Sequence, residues 1–205
     1  MEGGGDTAAT KAELRQGMSE FLGSLVKVAR QNRISWKIVF CGSRNFAHDA
    51  FLDATRKQPD TLNLLLVDSE GPVEDSPIEH LRNRDSWELD AVPEELVQVM
   101  VQVMETWLVA DSQALASYYG QDFLKGSLPR AVNLETVPKT QIEQGLKRAT
   151  ERTQKGEYHK IHHAGKLLAK INPELVRRRC PACDRLFLKL SAAIRRLKAG
   201  SPVRS

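Results

Sequence analysis

The sequence predicts an α/β fold, in which a small parallel sheet is flanked by helices and followed by a basic, all-helical extension. Helical and strand patterns alternate along the first part of the chain. The segment LNLLLV is almost wholly apolar, which is typical of a central parallel strand covered on both faces. Residues 1–138 contain 13 Lys and Arg against 21 Asp and Glu, whereas residues 139–205 contain 17 against 5. We therefore predict an α/β domain over 1–138 and a basic helical extension over 139–205.

Hydrophobic periodicity and turn residues give the bounds of the individual elements. Strands are predicted over Trp36–Cys41, Leu62–Val67 and Leu96–Val103. Helices are predicted over Thr10–Asn32 (capped by Asp6 or Thr7), Asn45–Gln58, Ile78–Asn83, Met104–Tyr119, Lys139–Thr153, Lys160–Lys170, Pro173–Arg179 and Cys183–Lys198. Residues 120–138 are predicted to form a linker. The first two helices supply the crossovers that parallel strands require.

Composition excludes several classes of protein. A chain of 205 residues with 41% hydrophobic residues is long enough for one full core. No stretch approaches the roughly eighteen apolar residues of a membrane span, and the N-terminus lacks the pattern of a signal peptide. The three cysteines do not form a disulfide framework. We predict a cytoplasmic protein without a membrane partner.

Two carboxylates follow the apolar strand directly. Asp68 and Glu70 occupy alternate positions at its exit, so their side chains are expected to point the same way. Two carboxylates held together repel each other unless one is protonated or a cation lies between them, and oxygen ligands suit Mg²⁺ or Mn²⁺. A loop start or a helix cap is the alternative interpretation of this pair.

The stretch MEGGGDT places Glu2 before three glycines and a capped helix. This order is typical of the exit from a first parallel strand, where glycines let the backbone approach a phosphate or metal closely. Glu2, Asp68 and Glu70 are therefore expected to share one rim of the sheet. The alternative is that Glu2 is a frayed terminal residue.

Several motifs in order give the chain a family resemblance: MEGGGD, CGSRNFAHDAF, LLLVDSE, VQVMETWLVAD, LP, VPK and YHK. Together they resemble an uncharacterised bacterial domain family regarded as Toprim-like, which is related to the nuclease halves of overcoming-lysogenization-defect (OLD) type phage-defence systems. The resemblance implies a Toprim fold, a small parallel sheet flanked by helices. It also implies a glutamate after the first strand and an acidic pair after a later one, which together hold Mg²⁺ or Mn²⁺.

The resemblance assigns roles to residues of this chain. The metal ligands are Glu2, Asp68, Glu70 and Glu105, and the implied activity is metal-assisted cleavage of a phosphodiester in DNA or RNA. Glu2 is alternatively a general base on the attacking water. Lys139 and Lys160 are expected to neutralise charge on the transferring phosphoryl group. An ATPase partner protein is implied as well.

The chain departs from the family pattern at two points. The second acid of the pair is Glu70 where the pattern has aspartate, and the first strand is expected to be truncated because only Met1 precedes Glu2. A second hypothesis follows from the displaced Glu2: a non-catalytic Toprim-like module that binds nucleic acid or protein without cutting.

Basic residues mark candidate nucleic-acid contacts. Ser43 and Arg44 lie in a turn between a predicted strand and a helix, which suits contact with a phosphate. Arg177, Arg178 and Arg179 form a basic run within the extension, for which a solvated helix end is the alternative interpretation.

A third hypothesis is a zinc-stabilised module. Histidine and cysteine ligands for Zn²⁺ are available in YHKIHH and CPAC, which contain His159, His162, His163, Cys180 and Cys183. Their spacing does not match a standard zinc finger, and packing or a basic contact surface is the alternative.

Overall fold

The computed structural model describes residues 1–3, 5 and 7–199. Helices predominate in this part of the chain, and two short strands pair in parallel, which agrees with the α/β prediction. The strands are β1 (Leu65–Asp68) and β2 (Val97–Met100). The helices are α1 (Ala8–Phe21), α2 (Gly23–Gln31), α3 (Arg44–Lys57), α4 (Pro77–Asp85), α5 (Met104–Ala110), α6 (Ser112–Tyr119), α7 (Lys139–Thr150), α8 (Lys160–Leu168), α9 (Pro173–Arg179) and α10 (Pro181–Lys198).

The two strands are buried along their whole length. Their register pairs Leu65 with Val97 and Asp68 with Met100. Successive side chains of a strand point to opposite faces. Accordingly, Leu66 packs into one hydrophobic cluster and Leu65 into another. The apolar run predicted as a central strand is therefore covered on both faces, and the carboxyl end of β1 is at Asp68.

The larger hydrophobic cluster extends across the predicted boundary between residues 138 and 139. At its centre the ring of Trp107 stacks on Phe21 with 5.2 Å between centroids, and the Phe187 ring meets Phe21 edge-on at 5.7 Å. Buried residues of α1, α5, α7, α8 and α10 belong to the same cluster. One core thus contains side chains from both predicted parts. The division at residue 138 itself stays a prediction.

Helices α1 and α8 touch along their main chains. A Cβ atom added to Gly17 of α1 would lie 2.1 Å from the carbonyl oxygen of Gly165, and one added to Gly165 of α8 would lie 2.8 Å from the carbonyl oxygen of Glu13. These separations leave no room for any side chain at either position. The two glycines therefore set the distance between the helices.

Two predicted helices are interrupted. The helix predicted over Thr10–Asn32 breaks at Leu22 into α1 and α2. The helix predicted over Met104–Tyr119 breaks at Asp111, whose side chain accepts hydrogen bonds from the main-chain nitrogens of Ala114 (3.0 Å) and Asn172 (2.9 Å). Because a side chain that bonds nearby main-chain groups competes with the helix, Asp111 ends α5 and begins α6.

The cap of α1 agrees in part with the prediction. The Thr7 hydroxyl accepts a hydrogen bond from the main-chain nitrogen of Thr10 at 3.2 Å, as an N-cap residue does. Asp6, the other predicted cap, lies outside the described residues. The predicted linker contains two short 3₁₀ turns, Lys125–Ser127 and Leu134–Thr136, and Leu134 is fully buried.

The strand predicted over Trp36–Cys41 is wrong. This segment is extended, but no described strand forms a ladder with it. Its main chain instead lies beside the first residues of the chain: Met1 N donates to Val39 O (2.9 Å), Cys41 N donates to Met1 O (2.9 Å) and Gly3 N donates to Gly42 O (2.8 Å). β-Rich composition therefore predicts the extended conformation here but not the pairing.

Within the described residues, none of the helices has the length and apolar character needed to cross a membrane.

Candidate metal centre

Asp68 is the last residue of β1 and is 1% exposed. Its Oδ1 accepts a hydrogen bond from the main-chain nitrogen of Met104 (2.8 Å), and its Oδ2 accepts one from Lys160 Nζ (3.1 Å). The first bond fixes the carboxylate at the edge of the sheet where β2 passes into α5. The second brings in a cation from α8, so Asp68 joins distant parts of the chain.

Glu70 lies in a turn directly after β1. Its φ of 63° is in the left-handed region, which costs a residue with a Cβ roughly 1–2 kcal/mol. The main-chain nitrogen of Glu70 donates to Gln102 O (2.7 Å), and the Gln102 side chain accepts from the main-chain nitrogen of Lys139 (3.0 Å). The Lys139 ammonium group in turn donates to the Glu70 carboxylate. This network turns Glu70 back towards Asp68 and holds it there.

Glu2 is held in place from two sides. Its main chain is fixed by the hydrogen bonds of Met1 and Gly3 to the segment Val39–Gly42. Its Oε2 accepts a hydrogen bond from Arg44 Nη1 at 2.9 Å. Glu2 is 15% exposed at its side chain, as is Arg44. In the described structure Glu2 is therefore anchored beside β1, and the frayed-terminus alternative is wrong.

Arg44 is the main positive partner on this side of the site. It forms a two-pronged pair with Asp85, with 2.9 Å from Nε to Oδ1 and 2.7 Å from Nη2 to Oδ2, and it also donates to Asp68 O. Its guanidinium group lies over the Trp87 ring, 5.0 Å from the centroid. All of these contacts face the protein, so Arg44 orients Glu2 and the end of β1.

Glu2, Asp68 and Glu70 converge. Each offers one carboxylate oxygen, and these three atoms lie within 4.8 Å of one another. Among the described residues, no other three His, Cys, Asp or Glu side chains lie close enough together to share an ion. Two Mg²⁺–O bonds of about 2.1 Å span roughly 4.2 Å, so small side-chain movements suffice to coordinate one ion. The donor set, three carboxylates, fits a hard divalent cation.

Glu105 lies next to this group. It is 4% exposed, and its Oε1 accepts a hydrogen bond from the Tyr158 hydroxyl at 2.8 Å. Its Oε2 is buried and accepts no hydrogen bond, although Lys160 Nζ is 3.5 Å away. Lys160 thus lies between the carboxylates of Glu105 and Asp68. Glu105 is a neighbour of the three-carboxylate group through Lys160 and is not a member of it.

The crowding of charge shifts several pKa values. Burial raises the pKa of Asp68 to about 7; Lys160 opposes this shift, while Glu105 and Glu2 add to it. Burial lowers the pKa of Lys160, but the charges of Asp68 and Glu105 outweigh burial and raise it above its usual value. Burial and the Glu105 carboxylate raise the pKa of Tyr158 well above its usual value. Lys160 therefore stays charged and Tyr158 stays a hydrogen-bond donor.

A cleft of about 610 Å³ opens beside the site. Glu105 and Lys160 lie on its wall together with Lys147, His159 and Tyr158. Gly3 and Thr10, from the first residues of the chain and from α1, also line it. Glu105 and Lys160 therefore face this cleft, whereas Glu2, Asp68 and Glu70 are not among its lining residues.

The chain matches the family described as Domain of unknown function (DUF4276) over residues 1–191. It belongs to this family. No curated protein and no solved structure matches the chain. The DUF4276 match includes every residue of the site.

Of the nucleic-acid contacts predicted for this DUF4276 chain, Ser43 and Arg44 are adjacent at the start of α3, and Arg177 lies in α9. Ser43 caps α3 by accepting a hydrogen bond from Phe46 N at 3.3 Å. Arg177 pairs with Asp184 and Glu174, both at 2.8 Å. Arg44, Ser43 and Arg177 therefore all have roles within the fold, and their contact with nucleic acid stays a prediction.

The other two arginines of the basic run differ from each other. Arg179 donates to the main-chain oxygens of Ala110 (3.2 Å) and Ala131 (2.8 Å), so it ties α5 to the segment before α7. Arg178 is exposed to solvent. Arg178 is the member of this run whose position suits a ligand.

The zinc hypothesis finds no support in the DUF4276 chain. Cys180 and Cys183 are fully buried, and burial raises the pKa of both thiols, which opposes the thiolate that zinc requires. His163 is engaged with the Tyr119 hydroxyl at 2.9 Å. The described histidines and cysteines do not gather into a group that could hold one ion.

Sequence reasoning missed three residues of the site: Asp85, Gln102 and Tyr158. Tyr158 stands in the YHK motif beside Lys160, so that motif was a usable signal. Gln102 stands in the VQVMETWLVAD motif, whereas Asp85 contacts the site from a segment with no local pattern, so only its tertiary contact reveals it.

Proposed function

We propose that this protein is a nuclease of Toprim type that cleaves a phosphodiester of DNA or RNA with Mg²⁺ or Mn²⁺. The observation that carries the proposal is the convergence of Glu2, Asp68 and Glu70, whose carboxylate oxygens lie within 4.8 Å of one another. Like charges at this spacing are unfavourable without a cation. The three acids also stand at the positions that the family resemblance assigns to metal ligands.

The carboxylates would hold the metal. Glu2, Asp68 and Glu70 would hold one ion, and Glu105 would offer its Oε2, which accepts no hydrogen bond, to a second. When bound, such an ion neutralises charge on the phosphoryl group and on the leaving oxygen. Tyr158 holds the Glu105 carboxylate by its other oxygen, which orients Oε2 towards the site.

Two lysines would bind the substrate phosphate. Lys160 pairs with Asp68, and Lys139 pairs with Glu70. Their ammonium groups can donate to phosphoryl oxygens as negative charge develops there. As the alternative to its role as a metal ligand, Glu2 is the candidate general base for the attacking water through the oxygen other than Oε2, because Arg44 engages Oε2.

The resemblance also supports a cellular role. We infer that the protein acts in the bacterial cytoplasm, beside an ATPase partner, in a phage-defence system of the OLD type. The cleavage experiment that follows uses the purified chain without an ATPase partner.

Asp68→Asn tests the proposal. Purified protein is incubated with single- and double-stranded DNA and RNA in the presence of Mg²⁺, Mn²⁺ or EDTA. We expect metal-dependent cleavage by the wild type and a loss of at least 100-fold in Asp68→Asn. The matched control is Asp75→Asn, at an exposed aspartate. Equal cleavage by wild type and Asp68→Asn would overturn the site assignment.

The alternative is a non-catalytic Toprim-like module that binds nucleic acid or protein. It is favoured by the ion pairs of Glu2, Asp68 and Glu70 with Arg44, Lys160 and Lys139, which already balance the three acids. Nucleic-acid binding without cleavage under any of the metal conditions, by a folded wild-type protein, would support this alternative over the nuclease.

A further inference from the structure

The fold brings together two stretches of the chain that contain no acidic residue. Residues 21–48 contain five Lys and Arg and no Asp or Glu, although they belong to the acidic part of the sequence. Residues 185–199, in the basic part, likewise contain five Lys and Arg and no Asp or Glu. Helix α2 lies in the first stretch, and most of α10 lies in the second. These two helices pack against each other.

The contact between α2 and α10 is apolar and leaves basic side chains in solvent. Leu25 and Ala29 of α2 belong to the same hydrophobic cluster as Leu190 and Ile194 of α10. Exposed cations remain on α2, directly after it and on α10. We call this set the basic face, and its members are Lys27, Arg30, Arg33, Lys189, Arg195 and Arg196.

No acid of the described chain neutralises the basic face. Within the described residues, none of its six side chains forms an ion pair or donates a hydrogen bond. Other exposed cations of the chain do find acids: Lys57 pairs with Asp53 at 2.9 Å, and Lys147 pairs with Glu157 at 3.3 Å. Like charges on two neighbouring helices repel each other, so an anion from outside the chain would be stabilised here.

The helix dipole explains only some of these cations. Arg30, Arg195 and Arg196 lie in the last turns of their helices, where positive charge is favourable. Lys27 and Lys189 lie outside those turns. Lys189 and Arg196 are seven residues apart, so they lie on one side of α10 and about 10 Å apart along its axis. A nucleic-acid strand carries one phosphate per roughly 3.4 Å of its axis, so this spacing corresponds to about three phosphates.

We propose that the basic face binds the phosphate backbone of a nucleic acid. Lysine and arginine donate charge-assisted hydrogen bonds to phosphate oxygens, and arginine can donate two in parallel. Contacts with the backbone carry no sequence information, so binding should not depend on base sequence. The choice of nucleic acid among polyanions rests on the proposed function, but the binding itself requires neither metal nor cleavage.

An anionic membrane surface is the competing occupant. A helix that lies on a membrane buries its apolar side in the lipid. The apolar sides of α2 and α10 are already buried in the core of the protein. The large apolar residues exposed on these two helices are Val28 and Leu188, at 44% and 55%. The basic face therefore offers charge without an apolar surface of the size that lipid requires, which favours the nucleic-acid backbone.

Binding is measured in EDTA, so that metal-dependent cleavage does not interfere. The probes are a short DNA duplex and a short single-stranded RNA, each labelled with fluorescein and followed by fluorescence anisotropy from about 50 to about 200 mM salt. One variant combines Lys27→Gln with Arg30→Gln on α2. The other combines Lys189→Gln with Arg196→Gln on α10. Circular dichroism checks that each is folded, and an unfolded double variant is replaced by its single lysine substitution.

We expect saturable binding of at least one probe by the wild type. Each double variant should bind at least tenfold more weakly at 100 mM salt, and the slope of log K against log salt should fall by about 2, because two phosphate contacts are lost. The matched control combines Lys125→Gln with Lys170→Gln, which removes the same charge at exposed lysines outside the basic face. The control should bind within about twofold of the wild type, because its phosphate contacts are intact.

Three outcomes would overturn the proposal. One is the absence of binding of either probe by folded wild-type protein. Another is equal binding by the control and the double variants, which would assign any loss to net charge alone. The third is tighter binding to vesicles of phosphatidylcholine and phosphatidylserine than to either nucleic acid, which would assign the basic face to a membrane.

Failure of the nuclease proposal gives a different result. A wild type that binds a probe through the basic face but does not cleave with Mg²⁺ or Mn²⁺ would overturn the nuclease and leave the basic face in place. A wild type that cleaves, with binding unchanged in both double variants, would overturn the basic face and leave the nuclease in place.

Discussion

Lys160 Nζ lies 3.1 Å from Asp68 Oδ2 and 3.5 Å from Glu105 Oε2. One ammonium group thus lies between two carboxylates that are both almost fully buried. The same position is the one that a cation would take between these acids. Lys160 is therefore a competitor of a metal ion as well as a candidate ligand for a substrate phosphate.

Lys160→Met is expected to separate metal binding from cleavage. Loss of the ammonium group leaves the carboxylates with less positive charge, so Mn²⁺ should bind several-fold more tightly by calorimetry. Cleavage should fall by at least 100-fold, because a group that neutralises the transferring phosphoryl is gone. Lys166→Met, at an exposed lysine of the same helix, should change neither quantity. Weaker Mn²⁺ binding by Lys160→Met would contradict the inference that Lys160 competes with the metal ion for the carboxylates.

The buried Asp68 carboxyl should make the stability of the metal-free protein depend on pH. Burial raises its pKa from 3.8 to about 7, so the folded protein keeps a proton that the unfolded chain has lost. This contribution is fully present below pH 4 and is lost as the pH rises to about 7. The free energy of unfolding, from urea titrations, should fall over this range by up to a few kcal/mol. Asp68→Asn should remove this decrease in the free energy of unfolding between pH 4 and 7. If the variant shows the same decrease as the wild type, Asp68 is not its source.

The left-handed conformation of Glu70 predicts a conflict between stability and metal binding. Glu70→Gly removes a strained Cβ and should stabilise the fold by about 1 kcal/mol in thermal unfolding. It also removes a metal ligand, so Mn²⁺ affinity should fall at least tenfold. Arg33→Gly is the matched control, since Arg33 has a φ of 59° outside the site. That variant should gain stability and keep its metal affinity; a loss of affinity there would show an indirect effect.

Arg44→Lys should damage both the fold and the site. Lysine cannot reproduce the two-pronged pair with Asp85 together with the bond to Glu2. We expect a loss of about 2 kcal/mol in the free energy of unfolding and a weaker metal site, because Glu2 loses its partner. Arg82→Lys, at a more exposed arginine that pairs with Glu79, should cost less than about 1 kcal/mol. Similar losses in both variants would argue against the special role of Arg44.

The contact between α1 and α8 should not tolerate a methyl group. Gly17→Ala places a Cβ 2.1 Å from the Gly165 carbonyl oxygen, so the helices must separate. We expect a loss of about 3 kcal/mol or more, measured by urea unfolding, and reduced activity because α8 carries Lys160. Gly23→Ala meets no atom within 4 Å and should leave stability within about 1 kcal/mol of the wild type. Tolerance of Gly17→Ala would contradict the close main-chain contact.

Sequence patterns predicted both strands of the sheet. β1 follows an almost wholly apolar run, which is direct evidence of a strand buried on both faces, and β2 is buried as well although it contains Gln98. The segment Trp36–Cys41 has a similar composition but lacks a ladder. Composition reflects burial, whereas pairing depends on which other strand is present.

The acidic group was predictable, but its geometry was not. Asp68 and Glu70 do converge, yet Glu70 reaches the site through a left-handed turn rather than along an extended strand. Arg44 follows a turn that suggested contact with an external phosphate. Its actual partners include Asp85, which is remote in sequence, and no local pattern reveals such a contact.

The main-chain contact of Gly17 with Gly165 has a consequence for synthesis on the ribosome. α1 is synthesised before α7 and α8, so the contact forms only after α8 has left the exit tunnel. Until then Asp68 and Glu105 lack the ammonium group of Lys160, and their carboxylates are less stabilised. Assembly of the site therefore waits for the synthesis of α8, so a chain that stops before α8 holds the acids of the site without its lysine.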